Sequence, residues 1–318
     1  MLRDPALHRL LTAKPRIFVT GGGGFIGSAV VERLATLGLG LHVLAGAPED
    51  AIREVPANVT SSRAYITDVD AICDAAAGCQ MVVHIAGPPS VAASFDSPER
   101  YAFIHVQGTT TVLNACRKVG INRFVHVSSA EVYGRSASQP VSETQVPDPR
   151  SPYAAAKLGA ENMVRAFANS FGIAARILRP FSIYGPRQPS YALVPTIVRQ
   201  ALTADAIVLS DVRPVRDYCY VSDVVDAILR ACDLELPELA VVNVGTGRGT
   251  SALQLAEAIL ALVGRNIPIL TTAPKNRPKG AEIFELVADT RHANDILGWT
   301  PQTSLISGLQ KVVTEMAP

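Results

Sequence analysis

The stretch Thr20-Gly21-Gly22-Gly23-Gly24-Phe25-Ile26-Gly27 decides the fold. It follows an apolar, β-branched run at 16–20 and precedes a segment, 25–37, whose apolar residues recur at helical spacing. Glycine permits a tight turn between a strand and a helix, and it lets main-chain amides approach the phosphates of a ligand at the helix N-terminus. The consecutive glycines satisfy two patterns, G-x-G-x-x-G from Gly22 and G-x-x-G-x-x-G from Gly21. This context predicts a dinucleotide-binding loop.

Short β-rich runs alternate with helical patterns through the first half of the chain, which predicts a parallel sheet with crossover helices. The predicted strands are Arg16–Thr20, Leu41–Leu44, Ala64–Ile66, Met81–Ile85, Arg123–Val127 and Ala174–Leu178. The predicted helices are Phe25–Leu37, Tyr101–Val119 and Tyr153–Phe171. We therefore expect the α/β class, with a Rossmann-type, doubly wound parallel sheet and a smaller, discontinuous α/β substrate domain.

Beyond Pro180 the elements become shorter and prolines punctuate the chain. The run Val241–Val244 is predicted to be one more buried strand that returns to the first sheet. We expect a dinucleotide-binding domain at 14–180, with 217–245 returning to it, and a substrate-binding domain formed by 181–216 and 246–318. Ligands of such folds bind in the cleft between the two units.

Composition excludes several classes of function. The formal net charge of the 318 residues is +1, so there is no electrostatic case for nucleic acid or anionic membranes as partners. No uninterrupted apolar run reaches the length of about 18 residues that a membrane span needs, and residues 1–14 lack the apolar core of a signal peptide. The five cysteines form no CxxC or Cys/His cluster. We therefore expect thiols in a reducing cytoplasm, and no metal site.

A tyrosine and a lysine stand four residues apart in Tyr153-Ala-Ala-Ala-Lys157, which places the phenol and the ammonium on one face of a predicted helix. A tyrosine with an ordinary pKa of about 10 is a poor base at neutral pH. A nearby ammonium and a positively charged nicotinamide ring would favour the phenolate. Ser128 and Ser129 follow a predicted strand at the carboxyl edge of the sheet, where a hydroxyl can hydrogen-bond the substrate oxygen. The pattern predicts catalysis by Ser129, Tyr153 and Lys157.

One expected residue is missing from the dinucleotide site. An acid about 20 residues beyond the glycine loop usually binds the ribose 2′-hydroxyl of NAD. Here the second predicted strand is followed by Ala45, the first acid is Glu49, and the nearest arginine that could accept a 2′-phosphate is Arg53. The choice between NAD and NADP is therefore left open by the sequence.

Several short motifs together carry a resemblance to a known family. They are T-G-G-G-G-F-I-G (20–27), H-I-A-G (84–87), S-S-A-E-V-Y-G (128–134), Y-A-A-A-K (153–157), R-P-F-S-I-Y-G-P (179–186), R-D-Y-C-Y-V-S-D-V-V (216–225), N-V-G-T-G (243–247) and L-G-W-T-P (297–301). The chain resembles an extended short-chain dehydrogenase/reductase of the NAD-dependent epimerase/dehydratase family, which acts on nucleotide sugars. The likeness runs from Arg16 to Leu309.

The resemblance implies a cofactor, NAD, and a set of residues that contact it. These are Gly21, Gly24, Phe25, Ile26, Gly27, Asp68, Val69, Ala86, Gly87, Tyr153 and Lys157. Ser129 matches the catalytic serine of the family. Relatives are often dimers through two long helices, here 101–119 and 153–171, so the resemblance also implies a homodimer.

Three positions depart from the family pattern. Ala45 stands in place of the ribose-binding aspartate. His105 replaces an asparagine that usually supports the active-site helix and a water relay, and it either takes over that hydrogen bonding or only packs. Ser182 replaces an asparagine before the Y-G-P motif. These changes bear on cofactor affinity and on the pose of the substrate.

Three arginines are candidates for binding the substrate. Arg216 and Arg277 match positions where relatives hold the nucleotide diphosphate, and Arg187 is a third candidate. Guanidinium groups suit phosphate oxygens because their paired N–H donors match that geometry. The expected substrate is a nucleotide-diphosphate sugar.

The residues after Ser129 separate the possible reactions. Related 4,6-dehydratases carry Asp-Glu there, whereas this chain has Ala130 and Glu131. A 4-epimerase needs only Ser129, Tyr153, Lys157 and a retained cofactor. We therefore expect an NAD(P)-dependent nucleotide-sugar epimerase that oxidises C4 and reduces the keto-sugar on its other face. The alternatives are a dehydratase or decarboxylase that uses Glu131, a reductase of a non-sugar carbonyl, and a cofactor-sensing binding protein with degraded catalysis.

The variant Tyr153→Phe separates catalysis from cofactor sensing. Because it removes the proton-accepting oxygen, we expect turnover to fall by about 100-fold or more while the protein still folds. The measurement is the rate of sugar interconversion by the wild type and the variant. Equal rates would contradict the mechanism, and no turnover in either protein would favour the binding role.

Overall fold

The computed structural model describes residues 5–50, 52–136, 138–233, 235, 237–272 and 278–317. The strands of the large sheet are β1 Ile17–Thr20, β2 Leu41–Leu44, β3 Thr60–Ser62, β4 Met81–His84, β5 Arg123–Val127, β6 Ala174–Pro180 and β10 Leu239–Val244, and the other strands are β7 Ser182–Tyr184, β8 Ile207–Leu209, β9 Val215–Tyr220, β11 Gly249–Ser251, β12 Ile269–Thr271 and β13 Glu285–Leu286. The helices are α1 Pro5–Ala13, α2 Phe25–Thr36, α3 Val69–Ala76, α4 Pro98–Ala102, α5 Gly108–Val119, α6 Pro152–Phe171, α7 Leu193–Thr203, α8 Val221–Ala231, α9 Ala252–Val263, α10 Arg291–Leu297 and α11 Leu305–Met316.

The large sheet has the strand order β10-β6-β5-β4-β1-β2-β3, and every neighbouring pair is parallel. The chain runs outward from β1 to β3 and then returns to the other side of β1 with β4. The strand order therefore reverses between β1 and β4, which is where such sheets open a crevice at the carboxyl ends of their strands. The Rossmann-type α/β fold predicted from the sequence is confirmed.

Helices cover both faces of this sheet. On one face Val19 and Val83 pack in a core with α2, α8 and α10. On the other face Phe18 and Val82 pack with α3, α5 and α6. Successive strand residues point to opposite faces, so strands buried on both faces read as continuous apolar runs.

Two predicted elements differ from those observed. The third strand is Thr60–Ser62, not Ala64–Ile66, because this edge strand is polar and is held by its pairing with β2. The predicted helix Tyr101–Val119 is divided by a π-helical segment, Phe103–Gln107, that joins α4 to α5. A π-helical turn carries one residue more than an α-helical turn and re-aims the side chains on it.

Helix α6, which carries Tyr153 and Lys157, has a side-chain cap at its N-terminus and a glycine after its last residue. The Ser151 side chain accepts a hydrogen bond from the Ala154 N–H at 3.1 Å, and Pro152 occupies the first turn, where its missing N–H costs nothing. Gly172 ends the helix in the left-handed conformation, at φ +67°. The first turn of α6, which contains Tyr153, is thereby fixed.

The second half of the chain adds a small sheet in which β9 pairs with β7, β11 and β13, and a two-stranded sheet of β8 and β12. Strand β10 lies in the large sheet, next to β6, whereas β9 does not. The domain boundaries stated above remain a prediction. Within the described ranges, no helix is both long and apolar enough to cross a membrane.

Asp217 joins the two sheets. Its carboxylate is fully buried on β9 and accepts hydrogen bonds from the N–H groups of Thr246 (2.8 Å), Gly247 (2.8 Å) and Ala288 (3.2 Å), as well as from the Thr246 hydroxyl. The loop after β10 is therefore tied to the centre of the small sheet. A carboxylate can satisfy this many donors at once because each oxygen has two lone pairs.

The variant Asp217→Ala tests this connection. It leaves several buried N–H groups without an acceptor, and we expect the free energy of unfolding to fall by about 3 kcal/mol or more. Urea unfolding provides the measurement. As the control, Asp211→Ala removes a carboxylate that pairs with the exposed Arg213, and we expect it to cost about 1 kcal/mol or less.

Candidate active site

The glycine loop lies directly on the neighbouring strands. Gly21 has φ +73°, and a Cβ there would come within 2.8 Å of the main chain of Ala86. A Cβ on Gly27 would lie 2.0 Å from the Gly21 carbonyl oxygen. At Gly24, by contrast, the nearest protein atom would be 3.4 Å away, and this residue begins α2 without a side-chain cap. The N-terminal N–H groups of α2 therefore face open space of the kind that a pyrophosphate fills.

A cleft of about 790 Å³ opens beside this loop. The predicted cofactor residues that line it are Gly21, Gly24, Phe25, Ile26, Gly27, Ala86, Gly87 and Tyr153. Ser129 also lines it. The crevice between β1 and β4 thus brings together residues that are more than 120 positions apart in the chain.

Asp68 and Val69 lie at the edge of this group. The Asp68 side chain caps α3 by accepting a hydrogen bond from the Ala71 N–H at 3.1 Å, and Val69 is the first residue of that helix. The neighbouring residues 64–67 line the cleft. The predicted contact of Asp68 and Val69 with adenine stays a prediction.

The three predicted catalytic side chains are buried around the carboxyl end of β5. Ser129 precedes a short 3-10 turn at 130–133, and its hydroxyl oxygen accepts a hydrogen bond from the Glu131 N–H at 3.2 Å. The Lys157 ammonium donates to the Val127 carbonyl oxygen at 2.9 Å. Tyr153 lies one helical turn before Lys157 on α6. The Ser129 hydroxyl also hydrogen-bonds Tyr153.

Burial sets the charge states of the pair. It raises the pKa of Tyr153 to about 12, although the hydrogen bond with Ser129 lowers that pKa and the charges of Glu131 and Tyr101 raise it further. Burial also lowers the pKa of Lys157 to about 8, against the opposing charge of Glu161. The protein alone therefore shifts the Tyr153 pKa upward, opposite to the direction that the sequence predicts with a nicotinamide ring present.

A buried ion pair holds α6 against the sheet. Glu161, one turn after Lys157, accepts hydrogen bonds from Arg179 at 2.9 Å (Nε) and 2.6 Å (Nη2). It also accepts one from the Ser128 hydroxyl at 2.6 Å. Arg179 is 2% exposed, and its guanidinium lies 4.7 Å from the centre of the Tyr133 ring. The ends of β5 and β6 are thereby fixed to the helix that carries Tyr153 and Lys157.

His105 both packs and hydrogen-bonds. It lies on the π-helical segment, its ring is 5.6 Å from the Tyr153 ring and nearly perpendicular to it, and its Nε2 is 3.1 Å from the Pro88 carbonyl oxygen. Burial lowers the pKa of His105 to about 2, and the charge of Lys157 adds to this, so the imidazole is neutral and Nε2 donates. A Cβ on Gly87, which has φ +142°, would lie 2.2 Å from this ring. Gly87 is therefore required for the ring to fit.

The predicted substrate residues are less closely grouped. Arg216 on β9 has a guanidinium 3.7 Å from Glu282, and it is not among the residues that line the cleft. The two terminal nitrogens of Arg187, Nη1 and Nη2, pair with the Glu32 carboxylate, and Arg187 is also outside the cleft lining. Arg277 lies outside the described residues. Glu131 is half-buried, and its charge acts on Tyr153.

Sequence reasoning missed part of the cleft wall. Residues such as Asp50, Tyr65, Arg100 and Tyr191 line the cleft but belong to loops and to α4. The sequence could have indicated Asp50, because this residue lies in the loop that follows β2. Loops at the carboxyl ends of parallel strands commonly carry the residues of a binding site. No group of three or more His, Cys, Asp or Glu side chains in the described part of the chain could hold a metal ion.

Two further histidines lie beneath the site. His84 is 1% exposed, its Nδ1 is 2.7 Å from the Thr20 hydroxyl and its Nε2 is 2.9 Å from the Thr109 hydroxyl. His126 stacks on His84 at 5.4 Å, and neither of its ring nitrogens has a hydrogen-bond partner among the residues that the structure describes. Burial lowers the pKa of His84 to about 3 and that of His126 well below its ordinary value.

The Rossmann-type sheet and the glycine loop define a dinucleotide-binding protein. The sequence profile of the NAD dependent epimerase/dehydratase family matches residues 17–245. The chain belongs to this family, and the resemblance read from its motifs is confirmed.

Individual relatives cover nearly the whole chain. A UDP-glucose 4-epimerase of Mycolicibacterium smegmatis is 32% identical over 94% of this chain and 97% of its own length. The crystal structure of a UDP-glucose 4-epimerase from Thermotoga maritima with UDP-glucose has a TM-score of 0.87 and 32% identity, covering 94% of this chain and 98% of that one. A dTDP-glucose 4,6-dehydratase from Streptomyces venezuelae, a double mutant with NAD bound, has a TM-score of 0.85 and 26% identity, covering 94% and 96%. Epimerases and dehydratases thus share this architecture.

Acidification tests the buried histidines. Because the pKa of His84, His105 and His126 is depressed in the folded protein, only the unfolded chain binds protons as pH falls below about 6.5. The free energy of unfolding should therefore decrease below that pH, by up to about 1.4 kcal/mol per pH unit for each histidine.

The variant His126→Phe removes one of these contributions. We expect it to flatten the pH dependence and to raise the free energy of unfolding by about 1 kcal/mol near pH 7, because no unpaired polar ring is then buried. Urea unfolding at about pH 7 and about pH 5.5 measures both effects. The control His8→Phe, on the exposed side of α1, should keep the wild-type slope. An unchanged slope in His126→Phe would contradict the prediction.

Proposed function

We propose that the protein is an NAD-dependent nucleotide-sugar 4-epimerase. The observation that carries this is the convergence of Ser129 and Tyr153 on one cleft with the glycine loop, while Lys157 is buried one turn behind Tyr153. Membership of the NAD dependent epimerase/dehydratase family and the UDP-glucose 4-epimerases among the relatives support it.

The residues present fit a dinucleotide. The close approach of Gly21 to Ala86, and the N-terminus of α2 without a side-chain cap at Gly24, fit a pyrophosphate beside the loop. Gly21, Gly24, Phe25, Ile26 and Gly27 would hold it. A bound nicotinamide would supply the hydride acceptor and donor for the sugar, and its positive charge would favour a phenolate nearby.

Tyr153 would remove the proton from the C4 hydroxyl of the sugar. Its pKa of about 12 in the protein alone must fall for this, and the positive charge of a bound nicotinamide would lower it. Ser129, which hydrogen-bonds Tyr153 in the protein alone, would turn its hydroxyl proton to the same sugar oxygen as that oxygen becomes a carbonyl. Lys157 would stay charged below its own pKa of about 8, held by the Val127 carbonyl.

A 4-epimerase also needs space for the keto-sugar to present its other face. The cleft volume of about 790 Å³ is in the range of ligand sites that enclose molecules of this size. Arg216 and Arg277 would bind the diphosphate, and Arg187 is the weaker candidate because its two terminal nitrogens already pair with Glu32. The substrate of this proposal is a nucleotide-diphosphate sugar.

One observation favours a second candidate. The Glu131 side chain is close enough to Tyr153 for its charge to raise the Tyr153 pKa. A carboxylate at this distance from the proton-accepting group could act as the base of an elimination or a decarboxylation after C4 oxidation. The dehydratase among the structural relatives supports this alternative.

We also propose that the protein works as a homodimer in the cytoplasm. Phe171 at the end of α6 is 50% exposed, and the Arg117 guanidinium of α5 lies 5.1 Å from the centre of its ring. The proposal of a dimer rests on the resemblance to relatives that often pair through these two helices.

Incubation with a panel of UDP-, dTDP-, GDP- and CDP-sugars, followed by NMR, tests the proposal. We expect inversion at C4 of at least one sugar, with no change in mass, and a loss of about 100-fold or more in kcat for Ser129→Ala. Loss of water or CO2 from the product, abolished by Glu131→Gln, would establish the alternative instead. No change in any sugar, with intact dinucleotide binding, would contradict both reactions.

A further inference from the structure

The end of β2 carries no acid. Ala45 follows the strand and is 3% exposed, and both of its main-chain polar groups form hydrogen bonds inside the protein. Its carbonyl accepts a hydrogen bond from Gly23 at 3.0 Å, and its N–H donates to Ser62 at 3.1 Å. The ribose 2′-hydroxyl of NAD usually meets a carboxylate at this point of the fold. Ala45 cannot supply one.

The loop after β2 turns back and brings a carboxylate to the same place. The Ala47 N–H donates to Oδ2 of Asp50 at 2.9 Å, and the Asp50 N–H donates to the Ala47 carbonyl at 3.1 Å. A Cβ on Gly46 would lie 3.1 Å from that Oδ2. The carboxylate of Asp50 therefore lies against Gly46, one residue beyond Ala45, and Asp50 lines the cleft.

Arg63 fixes this loop. Its Nε and Nη2 donate to the Ala47 carbonyl at 3.2 and 2.8 Å, and Nη2 also donates to the Asp50 carbonyl. The Ala64 N–H donates to the Gly46 carbonyl at 3.2 Å. Because the main chain is held on both sides, the carboxylate is ordered before any ligand binds, which lowers the entropy cost of using it.

The charges at this end of the cleft are negative. Glu49 and Asp50 both line it, and Arg100 on α4 is the cationic side chain among the described lining residues. Arg53 and Arg63 are not among the lining residues: Arg53 donates to the Arg187 carbonyl, and Arg63 is engaged with the carbonyls of Ala47 and Asp50. A 2′-phosphate here would face like charges, whereas a 2′-hydroxyl can donate to a carboxylate.

We infer that Asp50 takes over the role of the missing acid at the end of β2, accepts the hydrogen bond of the adenosine ribose, and makes the protein select NAD over NADP. This inference rests on the NAD-dependent function proposed above, and it adds the residue that sets the cofactor preference. In the sequence, the usual position of that residue is occupied by Ala45. In the folded protein, the carboxylate of Asp50, five residues later in the chain, lies at that place.

Equilibrium binding of NAD and of NADP to the nucleotide-free protein tests the inference by calorimetry. We expect the wild type to bind NAD more tightly, and Asp50→Asn to reduce this preference by about 10-fold, chiefly through weaker NAD binding, as for loss of one charge-assisted hydrogen bond. Asparagine retains an oxygen that can accept from the Ala47 N–H, so the loop is kept. An unchanged thermal unfolding midpoint verifies this.

Two matched variants remove a charge nearby. Glu54→Gln alters an exposed acid of the same stretch that does not line the cleft, and we expect the wild-type preference. Glu49→Gln alters the other lining acid and should change the preference less than Asp50→Asn does. The inference is overturned if Asp50→Asn keeps the wild-type preference, if Glu49→Gln has the larger effect, or if the wild type binds NADP as tightly as NAD. A wild type that binds neither dinucleotide would instead contradict the proposed function and this inference together.

Discussion

The buried ion pair between Glu161 and Arg179 is the interaction on which the site depends. Glu161 lies on α6, Arg179 lies at the end of β6, and the Ser128 hydroxyl adds a third contact from the end of β5. Both side chains are almost completely buried. Loss of one partner of such a pair leaves a charge without compensation in a medium of low dielectric, at a cost of about 3–5 kcal/mol. The pair therefore fixes where Tyr153 and Lys157 stand relative to the sheet.

The same burial makes the chemistry conditional on the cofactor. In the protein alone, desolvation raises the pKa of Tyr153 and lowers that of Lys157, so both groups are shifted toward their neutral forms. A positive charge that enters the cleft acts strongly in this dry region, and it favours the phenolate. The neutral histidines beneath the site add no competing charge. In the proposed reaction, proton removal by Tyr153 would thus be coupled to an occupied dinucleotide site.

Two departures from the family pattern are compensated in space. At His105, the neutral imidazole joins the π-helical segment to the Pro88 carbonyl and packs on Tyr153, and Gly87 leaves the room it needs. At Ala45, the turn of the following loop sets Asp50 beside the strand end. In both cases the contact is made by a residue of a different type or at a different position. These contacts preserve the geometry of the crevice although the residue types at positions 45 and 105 differ from the family pattern.

The sequence by itself determined the Rossmann-type sheet, the glycine loop and the Ser129, Tyr153 and Lys157 set. These follow from local rules, because glycine sterics, helical spacing and apolar runs depend on neighbours along the chain. Only the tertiary structure decided the polar edge strand Thr60–Ser62, the π-helical segment at His105, the pairing of Arg187 with Glu32 and the placement of Asp50. Each of these depends on contacts or packing between segments that local patterns do not encode. Such contacts leave no periodic signal in the sequence, and so they are known only once the chain is folded.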